Sequence, residues 1–563
     1  MIILGIWDGH DSGACIVENG RIKAAVNEER FTRRKFEPQF PYNSITACLR
    51  IMNLKPSDIQ HIAYSTSDFS NTLTRLFPTI KEQYYYFKRR KTEKRFFKLK
   101  SILQYEIGEL RGNFITEFLS DRFFQKKLKR MGFNNFKLYR VEHHLAHVAS
   151  AYFTSGFKRA LCITLDGFGD GISSTVNICN SNEIQRIAFS NAKDSLGVFF
   201  SMVTSFLGMR ILEDEGKVMC LASYSYPISN EENKLINFFR VDGLQIKANY
   251  SISRMYEKLE HIAWNLRREE FACMAQKTLE EHILHLFENA IADTGIKNVC
   301  WSGGIASNIR VNQIIRLNSG LKNWFVFPHM GDGGLAVGAA LYASYVIEGT
   351  KSYRLNDVYL GPKYNEEKIE YELKKHKKLK YEYRSDISNI AGELISQGNY
   401  LLWFQGRMEY GPRALGNRSI LALASSDEIK NKLNLQVKRR EWFQPFCPTI
   451  LKEDANIFFE DCDTPDPLMT MGFKSKQELY NEMKSVIHID GSSRPQMLGN
   501  ENEKYRELIK QIKKNTGYGI VLNTSFNIHG DPIVCNPKDA INTMLKTRTK
   551  YMAIENFLVE NNS

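Results

Sequence analysis

Three times the chain runs an apolar strand directly into a turn of glycine and aspartate or serine. These are "RALCITLDGFGDG" (159–171), "IKNVCWSGGIASN" (296–308) and "WFVFPHMGDGGLAVGAALYASYVI" (324–347). Strands bounded in this way and alternating with helical patterns predict an α/β fold, where ligands collect at the carboxyl ends of the strands. The opening stretch, "MIILGIWDGHDSGACIVENGRIKAAVNEER", adds a strand, a polar turn, a second strand, an Asn19-Gly20 turn and a third strand. Asn-Gly between apolar runs is a strong hairpin signal.

A chain of 563 residues exceeds one core, and the composition shift at 347–365 sets the expected boundary. One domain is expected over 1–350, with a basic helical insert at about 81–130, and a second over 360–563. Ten cysteines stand singly with no CxxC, which excludes a zinc ribbon or disulfide framework and fits a reducing, cytoplasmic compartment. The amino-terminal apolar run is too short for a signal peptide and no run reaches membrane-span length, so neither secretion nor a membrane partner is expected. The formal charge of +13 suits anionic partners, though a lysine-rich solvated surface produces the same number. The block "FKRRKTEKRFFKLK" (87–100) reads either as a solvated amphipathic insert or as an RNA or membrane contact.

"VEHHLAHVASAYF" places His143 and His147 four residues apart, on one face of a helix. Two imidazoles so spaced suit one metal ion or a polar helix face, and His144 at i+3 from His147 stays open as an alternative partner. Asp166 and Asp332, each in a strand-end turn, are the carboxylates that could complete a mixed nitrogen and oxygen shell. They could equally serve only their turns. The glycine turns at 8–13, 165–171 and 302–308 let main-chain N–H groups approach phosphates. Their order resembles the actin-like, sugar-kinase and Hsp70 ATPase plan.

After the expected boundary, "WFQGRMEYGPRALGNRSIL" (403–421) carries Arg407, Arg413 and Arg418 between glycines. "VKRREWFQPFCP" (437–448), "HIDGSSRPQ" (488–496) and "GIVLNTSFNIHGDPIVCNP" (519–537) follow. Guanidinium forks and lysines in Gly/Pro-punctuated loops point to an anion site. The alternative is salt bridging to Glu409 and Glu441.

With "HDSGACIVENG", "EHHLAHVASAYF", "LDGFGDG", "SGGIASN", "GDGGLAVGAA", "GRMEYGPRALGNRSI" and "NTSFNIHGDPIV" in this order, the chain resembles the NodU/CmcH carbamoyltransferase family nearly end to end. The resemblance implies an actin-like (ASKHA, Kae1-like) two-lobed amino-terminal domain and a YrdC-like α/β carboxy-terminal domain. It implies ATP and carbamoyl phosphate as substrates for carbamoyl adenylate, and carbamoyl transfer to an acceptor hydroxyl, commonly a sugar's. It implies His143, His147, Asp166 and Asp332 as ligands of a divalent metal, iron first with manganese or zinc as alternatives, and magnesium accompanying ATP. Gly303, Gly304 and Asn308 match the adenylate loop of the first domain. Lys438, Arg440, Arg494, Ser525 and Asn527 match positions around ATP and carbamoyl phosphate, and Arg413, Arg418, His488 and Asn523 lie in the same motifs. His10 and Asp11, in the first loop, are assigned proton transfer. The partner implied is a small hydroxyl acceptor, with a homodimer left open. Two other readings stand beside this one: a tRNA threonylcarbamoyl-transfer enzyme, and a non-catalytic actin-like ATP-binding regulatory module.

Overall fold

The computed structural model describes residues 1–88, 106–181, 183–462 and 464–562. Its contacts separate two units: Met1–Ala25 with Pro38–Leu355, and Val26–Glu37 with Asn356–Ser563.

The first unit contains two five-stranded sheets. Strands β1 (Ile2–Trp7), β2 (Gly13–Glu18), β3 (Arg21–Asn27), β4 (His61–Ser65) and β5 (Lys137–Val141) are ordered β3-β2-β1-β4-β5. In the second sheet, β6 (Arg159–Gly169), β7 (Ile172–Asn180), β8 (Ile184–Asn191), β11 (Asn298–Ser302) and β12 (Asn323–Val326) are ordered β12-β11-β6-β7-β8. A short hairpin of β9 (Phe239–Asp242) and β10 (Gln245–Ala248) lies between them in sequence. Placing β6 on β1, β7 on β2, β8 on β3, β11 on β4 and β12 on β5 makes the two orders identical. In each sheet the first two strands are antiparallel and the last two run parallel to the first. This duplication is the actin-like two-lobed plan. Asn19 and Gly20, at φ +49° and +71°, adopt the left-handed pair that a tight hairpin needs.

Small residues let the elements after the last strands converge. The helix Leu335–Glu348 lies so near the helix His143–Ser155 that a Cβ on Gly338 would stand 1.9 Å from the Ala146 carbonyl oxygen. It also crosses β1 closely, where a Cβ on Gly5 would stand 2.1 Å from the Ala336 oxygen. The run "LAVGAALYAS" is therefore a packing surface, and the contact brings Asp332, just before one helix, to the first turn of the other.

The second unit is built on a mixed eight-stranded sheet. Its strands are β13 (Leu379–Tyr383), β14 (Leu401–Phe404), β15 (Arg418–Ala422), β16 (Cys447–Leu451), β19 (Gln496–Leu498), β20 (Ile520–Ser525), β21 (Tyr551–Ile554) and β22 (Phe557–Asn561). They are ordered β13-β22-β21-β14-β15-β20-β16-β19, and β17 (Phe473–Lys474) pairs separately with β18 (Ser492–Ser493). Trp403, Leu421, Leu508, Ile512 and Val521 pack a core between the sheet and the helices Ile387–Ser396 and Glu503–Thr516.

The segment Val26–Glu37 belongs to this second unit although most of β3 and the following helix Tyr42–Ile51 lie in the first. It is tied down by arginines. Arg30 donates to the Gly411 carbonyl at 2.8 Å, and Arg33 to Pro532 and Ile533 at 2.6 and 2.7 Å. In the basic insert, the helices Pro78–Lys88 and Phe114–Arg130 are described, whereas residues 89–100 of the basic block lie outside the described residues. Among the described residues no helix is long and apolar enough to cross a membrane.

Candidate metal centre and anion site

Glu142 caps the helix His143–Ser155 by accepting from the Leu145 N–H at 2.7 Å, and so sets where the first turn begins. From that turn both imidazoles present Nε2 to the same space. His147 and His143 lie 3.0 and 3.3 Å from Asp166 Oδ2, and each lies 3.6 Å from Asp332 Oδ1. One donor atom from each of the four residues falls within 4.8 Å of all the others. The opposite ring nitrogens are also held: His143 Nδ1 meets Thr66 Oγ1 at 3.3 Å, and His147 Nδ1 meets Ser302 Oγ at 3.4 Å. These contacts keep both rings with Nε2 facing the carboxylates. Burial would raise the Asp166 carboxyl, but the hydrogen bonds from His143 and His147 outweigh it and hold the group well below the usual carboxylate range. His143 is shifted upward because Asp332 and Asp166 outweigh the opposing effect of burial.

His144 plays a different part. Its Nε2 reaches the Ile172 carbonyl at 2.9 Å and its Nδ1 the Thr164 hydroxyl at 2.8 Å, inside the core. Burial, with His143 beside it, pushes this ring down to about 3, so it is neutral. It does not join the quartet.

Asp166 owes its position to the glycine turn of β11. Its Oδ1 accepts from Gly167 and Gly304 N–H at 2.7 and 3.2 Å. Gly303, at φ +101°, runs so close that a Cβ would stand 2.1 Å from the Leu165 oxygen. Asn308 caps the next helix, Ile309–Asn318, accepting from Val311 at 3.2 Å and donating to Gln276 at 2.8 Å. In the first loop, His10 Nε2 stands 3.5 Å from Asp332 Oδ2, and Asp11 Oδ2 stands 3.6 Å from His329 Nε2. Residues not anticipated from sequence therefore include Thr66, Ser302 and His329. Asp170 also belongs here, accepting from the His143 N–H at 2.8 Å.

In the second unit, Lys438 ends the π-helical turn Leu433–Lys438 and is buried. Its ammonium donates to Ser525 Oγ, to the Asn527 carbonyl and to Asn527 Oδ1, each at 3.1 Å, and also to the Ser525 carbonyl. Every one of these acceptors is neutral. Burial, then Arg440 and Lys35, push the lysine well below the usual ammonium range. Arg440 is braced by Asn434 Oδ1 at 2.7 Å and lies over the Phe446 ring. Lys35, carried by the Val26–Glu37 segment, was not anticipated.

The remaining expected anion-site residues face other groups. Arg418 is fully buried, donating to the carbonyls of Gln405 and Asn417 at 2.6 and 2.9 Å over the Phe404 ring. Its guanidinium holds the loop together and is not brought to Lys438. Asn523 is buried, donating to the Ala414 carbonyl at 3.1 Å and to Thr449 at 3.0 Å. His488 Nδ1 pairs with Asp490 at 3.2 Å, Arg494 reaches Cys447 Sγ at 3.0 Å, and Arg413 is half-buried in the 411–416 loop. Glu409 accepts from the N–H groups of Leu415, Asn417 and Arg418 at 2.8, 2.8 and 3.0 Å, and so shapes that loop from inside.

A duplicated actin-like unit with a four-donor cluster, joined to a sheet domain in which the buried Lys438 has Arg440 and Lys35 as like-charged neighbours, suits a two-unit group-transfer enzyme. The chain belongs to the carbamoyltransferase family. The model for the carbamoyltransferase amino terminus matches residues 2–341, and that for the carboxy terminus matches residues 392–561. Among its relatives, the uncharacterized protein MJ1051 of Methanocaldococcus jannaschii is 32% identical over 575 residues, covering 99% of each chain. The nodulation protein NolNO of Sinorhizobium fredii is 32% identical over 569 residues, covering 98% of this chain and 79% of its own. The solved structure of T. kodakarensis HypF aligns with a TM-score of 0.39 at 13% identity, over 62% of this chain and 48% of that one.

Proposed function

We propose that the chain is an O-carbamoyltransferase working in two steps. In the second unit, carbamoyl phosphate, ATP and water yield carbamoyl adenylate, pyrophosphate and phosphate. In the first unit, carbamoyl adenylate and an acceptor hydroxyl yield the carbamate ester, AMP and a proton. The acceptor is a small molecule, a sugar or a sugar-containing metabolite. The observation that carries this reading is Lys438: a buried ammonium whose hydrogen bonds all go to neutral oxygens, with Arg440 and Lys35 as like-charged neighbours. Such a group lacks a counter-charge, and a phosphorylated substrate supplies one.

Two imidazole Nε2 atoms and two carboxylates fit a divalent ion of the iron, manganese and zinc class, with iron(II) proposed. Such an ion, when bound, supplies charge stabilisation to the adenylate phosphate and acidifies a nearby hydroxyl. His10, beside Asp332, is the proposed acceptor of the hydroxyl proton, and the Asp11–His329 pair steadies the loop that carries it. Gly303 and Gly304 let the turn after β11 pack against Leu165 and Asp166, and this turn is the proposed adenylate loop.

ATP–pyrophosphate exchange tests the first step. Exchange that requires carbamoyl phosphate is expected. Exchange that requires threonine and bicarbonate instead, with tRNA as the acceptor, would overturn the proposal, and nucleotide binding without exchange would leave a regulatory module. Mass spectrometry of candidate sugars incubated with enzyme, ATP and carbamoyl phosphate then identifies the acceptor by the gain of one CONH group.

A further inference from the structure

The helix Phe114–Arg130 has its charges sorted by face. Its buried stripe is Thr116, Ser120, Phe124 and Leu128, at successive i+4 steps. Thr72 of the helix Phe69–Leu76 meets that stripe at Ser120 Oγ, 2.9 Å away. The helix has two acidic residues, and both are engaged by the body of the unit. Glu117 pairs with Arg140, and Asp121 accepts from the Tyr64 hydroxyl at 2.7 Å with Arg140 at 3.5 Å. The outward stripe carries Phe114, Ile115 and Phe118, then Arg122, Lys126, Lys129 and Arg130, all exposed and none acidic.

Phe114 is 81% exposed and Ile115 65% exposed, values that need an explanation for side chains of this size. Other large apolar side chains of this region are exposed as well. Leu76, Phe77 and Ile80, where the preceding helices meet, are also exposed, as is Leu110. Among the described residues, nine exposed large apolar side chains fall from Phe69 to Phe118. Arg122 lies over the Phe118 ring at 4.8 Å, and Lys127 over the Tyr42 ring at 5.3 Å. Aromatic rings interleaved with cations in this way suit the boundary between water and lipid, where the ring enters the acyl region and the cation meets the headgroup. In the sequence, residues 88–100 hold eight basic residues and one acidic residue.

We propose that this face of the first unit docks on an anionic lipid bilayer. Phe114, Ile115 and Phe118 insert, and Arg122, Lys126 and Lys129 bind the negatively charged headgroups. The partner is a lipid surface because the outermost residues are aliphatic as well as aromatic, which a nucleic acid does not require. This reopens the expectation of no membrane partner and moves the membrane contact considered for residues 87–100 to the helix that follows.

Co-sedimentation of the full chain with vesicles tests it. The wild-type protein is expected to pellet with phosphatidylcholine–phosphatidylglycerol vesicles and to stay in the supernatant with phosphatidylcholine alone. Replacing Arg122, Lys126 and Lys129 by Glu should weaken partition roughly tenfold or more at low salt. Replacing Phe114, Ile115 and Phe118 by Ser should spare the low-salt attraction and abolish the part that survives high salt. These positions are exposed, and unchanged thermal unfolding of the variants checks that the fold is retained. Wild-type protein that ignores anionic vesicles, binds both vesicle types equally, or binds them with no loss in either variant would overturn the proposal. So would retention of these residues by single-stranded RNA in a gel-shift assay without vesicle binding, or a dimer in sedimentation velocity that the Phe114, Ile115 and Phe118 replacements dissociate.

Discussion

Gly303 and Gly398 both sit at positive φ, +101° and +87°, but only one is enclosed. At Gly398 a Cβ meets nothing within 4 Å, so alanine costs only the left-handed backbone, about 1 kcal/mol. At Gly303 the same atom would stand 2.1 Å from the Leu165 oxygen, one residue before Asp166. Gly303→Ala is therefore expected to cost about 3 kcal/mol or more and to move Asp166 as well. Urea unfolding of the two variants checks the contrast, and equal losses would remove the argument for Gly303. The quartet makes its own prediction. His147→Ala deletes one of the four proposed donors, and the purified variant is expected to lack the transition metal that elemental analysis should find in the wild-type protein, while keeping its secondary structure. Retention of stoichiometric metal would show that the ion lies elsewhere.

Between elements, the controlling contacts join residues far apart in the chain, and that decides what could be read in advance. His143 and His147 were legible because one helix turn separates them, and Asp166 and Asp332 because each follows an apolar strand. Asp8 and Arg75 were not, since they meet only once β1 and the helix Phe69–Leu76 are packed. Lys35 escaped notice for a similar reason: nothing in "ERFTRRKFE" says that it folds with the second unit. Glu409 was visible only as a salt-bridge partner, while its carboxylate in fact gathers three loop N–H groups. Glu409→Ala would leave those donors buried without an acceptor, and a loss of about 3 kcal/mol is expected in denaturant titration. The Asp8–Arg75 pair predicts a pH dependence. Burial would raise the Asp8 carboxyl, but Arg75 and Lys81 outweigh it, so its folded value lies below the ordinary 3.8. Its contribution is therefore fully present above about pH 4 and is lost as the pH falls below that value. Asp8→Asn should destabilise the protein at neutral pH and flatten this acid limb of the stability curve. An unchanged limb would assign the acid loss to other carboxylates.

For the whole molecule, the fold class was legible because strand-end turns recur along the chain, whereas the duplication of the five-stranded sheet was hidden. The two halves share strand order and direction, but the motif they repeat, Asp-Gly-x-x-x-Gly at 8–13 and 166–171, is a single short turn, and most other equivalent positions differ. That architecture separates the two chemical demands. Under the proposed function, the polyanionic first step falls in the second unit to the buried Lys438 and its half-buried neighbours Arg440 and Lys35. The proposed transfer step, which needs an aligned hydroxyl and a held phosphate, falls to the quartet with His10 in the first unit. The two steps should therefore fail independently. Lys438→Ala is expected to lower carbamoyl phosphate-dependent ATP–pyrophosphate exchange about 100-fold or more. His143→Ala is expected to leave that exchange within roughly twofold of wild type while abolishing carbamate ester formation, because each replacement removes an interaction made in one step only. If His143→Ala stopped exchange as completely as Lys438→Ala, with its secondary structure intact, adenylate formation would depend on the quartet. The assignment of one step to each unit would then have to be abandoned.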